Sequence, residues 1–138
     1  MPAIQPTADQ FRAFRDDPYD GPIAQVNLLK FRVRVAYGPD ESEHTNDEPG
    51  GGAAYQRRVG AFRVAAAEVG GTCLLYGHRA RCFIGQGDWD AVLIMHFPNR
   101  AASIATLNHA DYAEMHRHRD AGLLCQDLLT ARPAVANL

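Results

Sequence analysis

The sequence predicts an α+β domain of the ferredoxin-like type, a four-stranded antiparallel sheet with two helices on one face. Three observations predict it. Setting aside a short N-terminal helix, the apolar patterning gives strand, helix, strand, strand, helix, strand, the order of a split βαβ unit. The two best strands carry apolar residues on both faces: Val26 and Leu28 against Leu29 and Phe31, and Val92 and Ile94 against Leu93, Met95 and Phe97. The chain of 138 residues fits one domain, long enough to bury about two-thirds of its surface around a single core. That domain spans 1–138, with its core over about residues 21–132.

Each element has its own local reason. Thr7-Ala-Asp-Gln10 reads as a capping box, opening a short helix to about Arg15 that turns Phe11 and Phe14 inward at i,i+3 spacing. Residues 23–31, IAQVNLLKF, are the first strand, with Val26, Leu28 and Lys30 on one face and Gln25, Asn27, Leu29 and Phe31 on the other. Residues 34–52 are rich in acidic residues, Gly and Pro and read as a solvated loop, either a lid over a site or an ordinary insertion. Residues 53–69 form the clearest helix, because Tyr55, Val59, Phe62, Ala66 and Val69 fall on one stripe and Gly70-Gly71 stops it. A strand at 72–78 follows, with 81–84 as its continuation or neighbour. The strand 89–97 then leads through the N-cap Asn99 into a helix that Asn108 interrupts, and a second segment runs from about Asp111 to Asp120. Residues 123–131 are the last strand.

Composition excludes several classes. The apolar fraction of 46% and charged fraction of 22% are those of a folded globular chain. A net charge of −2 points to neither nucleic acid nor an anionic membrane surface. No apolar run approaches the roughly 20 residues that span a bilayer, and the N-terminus lacks the pattern of a secretory signal. Cys73, Cys82 and Cys125 are odd in number and form no CxxC pair, so a reducing, cytoplasmic setting is expected. The sheet face left open by the helices would be a large apolar patch, and pairing with a second copy buries it. A homodimer is therefore expected, with Leu93 and Met95 assigned to its interface.

The candidate chemistry gathers on the last helix. Tyr112, His116, Arg119 and Asp120 can share one side, and the i,i+4 spacing lets Asp120 orient His116 and raise its basicity. Arg119 is suited to a carboxylate or enolate oxygen. The expected catalytic set is His116, Asp120 and Arg119, and the expected ligand-binding set is Asn27, Tyr55, Tyr112 and His96. Against this stands the ordinary preference of His and Arg for helix C-termini. Asn27, mid-strand among apolar neighbours, needs a partner, since an unpaired buried amide costs on the order of 1–3 kcal/mol. His118 lies roughly 200° round the helix from His116 and is left out of the site. A metal site of His109, His116 and Asp120 can be drawn, but the break at Asn108 and the lack of an HExxH spacing weigh against it. No metal and no cofactor are expected.

The segments GPIAQVNLLKFR, GGAAYQRRVG, GGTCLLYG, WDAVLIMHFPNRAA and HADYAEMHRHRDAGL together resemble the family known as domain of unknown function 1330. The resemblance covers about residues 21–132. It implies the dimeric α+β-barrel superfamily, in which two ferredoxin-like sheets pair, and it implies no substrate and no catalytic residues. The acidic loop from Gly38 to Gly50 is longer than the resemblance leads one to expect. The functional expectation is a small-molecule enzyme performing cofactor-independent acid–base chemistry in a pocket between sheet and helices. A non-catalytic ligand-binding or accessory homodimer remains the alternative.

Overall fold

Strand β1 (Ile23–Phe31) sits inside a four-stranded sheet because its backbone is paired on both sides. It runs antiparallel to β3 (Ala91–Phe97), with Asn27 opposite Leu93, and antiparallel to β4 (Leu123–Ala131), with Asn27 opposite Leu128. Strand β2 (Thr72–His78) closes the far edge against β3, giving the order β2-β3-β1-β4. The computed structural model describes residues 3–38 and 51–135. Four helices complete it: α1 (Ala8–Arg15), α2 (Gly51–Ala67), α3 (Arg100–Leu107) and α4 (Tyr112–Gly122). With α1 set aside, and with α3 and α4 as the two halves of the interrupted helix, this is the expected ferredoxin-like arrangement.

Alternation decides which face is covered. Ile23, Asn27 and Leu29 of β1 and Ala91, Leu93, Met95 and Phe97 of β3 are buried, together with Tyr55, Val59 and Phe62 of α2 and Met115 of α4. The intervening residues Val26, Leu28, Val92 and Ile94 are only half-buried. Leu93 and Met95 therefore belong to the core of the single chain, not to an open face as expected. Because both faces of β3 are apolar, the pattern alone does not say which one the helices take. The open face carries a row Leu75, Ile94, Val26 and Leu129 in register across all four strands, with Leu75 and Leu129 49% and 56% exposed.

Local chemistry sets the boundaries. Thr7 Oγ1 accepts from the Gln10 amide and Gln10 Oε1 accepts from the Thr7 amide, the reciprocal cap expected for α1. That helix buries no residue fully; Phe11 and Phe14 are half-buried beneath it. Gly70, at φ 84°, supplies the left-handed turn after α2. Arg79, at φ 54°, turns the chain out of β2, which is why residues 81–84 join no strand and leave Phe83 and Ile84 96% and 86% exposed. Asn99 caps α3 by accepting from the Ala102 amide, and Asn108 ends it. Helix α4 ends at Gly122 and β4 begins at Leu123, with no connecting residue.

The stretch expected to be a solvated loop from residue 34 is packed at its start. Ala36 donates to the Ala121 carbonyl, and Tyr37 is buried against Ala54 and Ala121. The remainder of that loop, residues 39–50, and the question of a lid lie outside the described residues. Among the described residues no helix is long and apolar enough to cross a membrane, and the three cysteines are free.

Candidate functional site

The two-part helix α3–α4 crosses the covered face of the sheet and leaves a gap over β1 and β4. Helix α1 and residues 3–6 close that gap from the other side. The result is a cavity of about 970 Å³, a size suited to a small organic molecule. Its apolar wall comes from Phe11 and Phe14 of α1, Phe62 of α2, and Ile23, Leu93 and Met95 of the sheet. Asn27, Arg58, Tyr112 and Arg119 are among its polar groups. Ser103 on α3 donates to Gln25 on β1 at 2.9 Å, tying the roof to the floor.

Of the expected site residues, the helical four do come together. His116 Nε2 lies 3.1 Å from Asp120 Oδ2, and His116 Nδ1 lies 3.4 Å from the Tyr112 hydroxyl. A carboxylate accepts, so the contact with Asp120 calls for a proton on Nε2, which the Gln5 side-chain amide nitrogen also approaches at 3.3 Å. Nδ1 is then the acceptor for the Tyr112 O–H. Tyr112 stands in the cavity wall, whereas His116 sits behind it and outside the lining. Arg119 is 6% exposed, and its Nη1 is 3.6 Å from Asp120 Oδ1. Burial, with the like charge of Arg58 second, pushes the Arg119 guanidinium below its ordinary value.

The remaining expectations divide. Asn27 faces the cavity, but its amide nitrogen donates to the Leu93 carbonyl at 3.1 Å, so one of its two N–H donors is spent within the sheet. Tyr55 is 1% exposed and lies in the core, 5.6 Å from the Phe31 ring and 6.1 Å from Tyr76, not in the cavity lining. His96 is on the open face, opposite Ala24 and Thr72, and the sheet separates it from the cavity. His109 pairs with Glu68 at 2.8 Å rather than with His116. No group of three or more His, Cys, Asp or Glu among the described residues is arranged to hold a metal.

Two residues were missed. His118, set aside in the sequence reading, is 7% exposed, with Nδ1 2.7 Å from the Tyr37 hydroxyl and Nε2 3.2 Å from Glu114. Arg57 of α2 donates to the same hydroxyl at 2.9 Å, so Tyr37 bridges His118 to that helix. The i,i+4 spacing of Glu114 and His118 was the available signal. Arg58 is the second. It lines the cavity with its Nε and Nη1 buried and without a hydrogen-bond partner among the described residues, and no feature of GGAAYQRRVG singles it out from Arg57.

A family model described as a domain of unknown function, DUF1330, matches residues 45–130. The chain belongs to the DUF1330 family. The solved RPA0582 protein of unknown function from Rhodopseudomonas palustris is similar to this DUF1330 chain at 28% identity and a TM-score of 0.83, covering 99% of this chain and 100% of that one. The methylated RPA0582 protein gives 30% identity and a TM-score of 0.78 over 99% and 98%. PA3566 from Pseudomonas aeruginosa, at 16% identity and a TM-score of 0.52 over 83% and 96%, is alike in fold alone. No curated protein matches.

Proposed function

We propose that this DUF1330 protein is a small-molecule enzyme that moves a proton on carbon without a cofactor, in the cavity between sheet and helices. One observation carries the reading: the Asp120–His116–Tyr112 chain ends at the wall of a cavity that also presents the buried Arg119. Asp120 fixes the His116 tautomer, His116 takes the proton of Tyr112, and the Tyr112 oxygen is the group that meets substrate. Arg119 stabilises the oxyanion that develops as the proton leaves carbon, and the low-dielectric wall makes that stabilisation stronger than in water. The protein works as a homodimer paired through the row Leu75, Ile94, Val26 and Leu129, in a reducing cytoplasmic setting consistent with its free cysteines. Nucleic acid and membrane play no part.

The test is deuterium incorporation into a panel of small ketones and keto acids, followed by proton NMR. The wild-type protein should accelerate exchange of at least one of them. His116→Ala and Tyr112→Phe should each lose on the order of 100-fold with little change in melting temperature. Exchange that survives in His116→Ala, or no exchange anywhere in the panel, sinks the reading. The alternative is binding without turnover. The observation that favours it is Asn27, one of whose two N–H donors is spent on the Leu93 carbonyl, so that it serves the sheet as well as the cavity.

A further inference from the structure

We propose that Arg58 and Arg119 form a cradle for the carboxylate of an amphipathic ligand, whose apolar body lies against Phe11, Phe14, Phe62 and Met95. The inference rests on the cavity being the substrate pocket and adds a residue and a ligand class to that reading. It starts from the charges in the wall. Four arginines and two aspartates line the cavity. Arg132 is paired with Asp17 at 3.4 Å, and Arg100 donates to the backbone carbonyls of Arg15 and Tyr19. Arg58 and Arg119 remain.

Neither is neutralised. Arg119, more than nine-tenths buried, has only Asp120 near it at 3.6 Å, and Asp120 is shared with His116. Arg58 stacks over the Phe62 ring at 4.8 Å and near Tyr55 at 5.9 Å, and it makes no ion pair with a described residue. Stacking holds the guanidinium plane in place but leaves its edge donors, the buried Nε and Nη1, unused. An uncompensated buried charge is costly, and two like charges together cost more. A planar anion between them removes both penalties, and the guanidinium fork matches a carboxylate in bidentate geometry. Asp127, the second aspartate, is exposed and stands opposite Leu28 on the open-face side of the sheet, so two guanidiniums against Asp120 leave one net positive charge, which suits a monocarboxylate better than a phosphate dianion. The aromatic and aliphatic wall opposite supplies the place for an apolar body.

Isothermal titration of the whole protein with 3-phenylpropionate, its neutral amide and phenyl phosphate tests this. The carboxylate should bind with a Kd below about 1 mM, at least tenfold tighter than the amide and tighter than the phosphate. Arg58→Gln and Arg119→Gln should each weaken it about tenfold or more and abolish the preference over the amide. Without ligand, Arg58→Gln should melt no lower than wild type, since it removes an unneutralised charge. Equal binding of acid and amide, tighter binding of phenyl phosphate, no binding of any probe, or an Arg58→Gln protein that melts several degrees lower would each overturn the cradle. Deuterium exchange is read separately, so a wild-type protein that exchanges deuterium but shows no preference for the acid refutes the cradle and spares the proton-transfer reading.

Discussion

Two adjacent residues of β3 should fail in opposite ways when each is replaced by Glu. Ile94 lies on the open face and is half-buried in the single chain, whereas Met95 is 1% exposed under the helices. Pairing two sheets through the open face removes the rest of the Ile94 side chain from water, about 1 kcal/mol per copy. An ionised Glu in the same place adds a desolvation penalty of several kcal/mol. A two-fold axis presents the change twice, so about 4 kcal/mol is a floor, equivalent to ~1000-fold in the dimer dissociation constant. Ile94→Glu should therefore be a folded monomer by sedimentation at ~10 μM, with an unchanged far-ultraviolet spectrum. Met95→Glu removes a core side chain worth roughly 2–5 kcal/mol and buries a charge besides. That approaches the whole stability of a domain, about 5–15 kcal/mol, so this variant should not fold. A wild-type monomer, an Ile94→Glu dimer, or a well-folded Met95→Glu protein would refute the assignment of faces or the pairing built on it.

Other consequences can be checked one at a time. Burial pushes the Tyr76 phenol up to about 12, and its hydroxyl has no partner among the described residues. A pKa raised on folding contributes stability that is complete below the ordinary value of 10.0 and is lost as the pH climbs through about 12. Absorbance titration should show a late-ionising tyrosine that Tyr76→Phe removes, and that substitution should leave the melting temperature unchanged or raised. His118→Ala should cost roughly 1–3 kcal/mol in urea denaturation, because it strips a partner from the buried Tyr37 hydroxyl. Thr7→Ala, with a cap worth about 1 kcal/mol, should speed amide exchange across α1. It should scarcely shift global unfolding, since α1 buries no residue fully.

The strands and helix caps were legible because they depend on neighbours in sequence. The bounds of β1, β2 and β4 and the roles of Thr7, Asn99, Asn108 and Gly70 follow from alternation, side-chain capping and the freedom of glycine. What failed depends on contacts between distant segments. Residues 81–84 have strand-like composition but no partner, and the departure of the chain at Arg79 is not written in residue type. Leu93 and Met95 were put on the wrong face because helix placement, not alternation, chooses between two apolar faces. The His116 cluster was readable from helical spacing. Removing Tyr55 and His96 from the cavity, and adding Arg58 to it, required knowing which side of the sheet the helices cover and how α1 closes over β4.

The direct passage from α4 into β4 has a mechanical consequence. Arg119 lies four residues before Leu123, and no loop intervenes to absorb motion. Strand β4 turns Gln126, Leu128 and Thr130 to the same side as Asn27 and the cavity, and Leu129 to the open face beside Val26. A shift of this edge strand must therefore reposition the arginine and the sheet-pairing row in one movement. If a second copy docks on that row, the free energies of docking and of ligand capture are linked, and whatever factor one confers on the other is returned in equal measure. In such a pair the two cavities would be thermodynamically aware of each other through opposite sides of the same nine-residue strand.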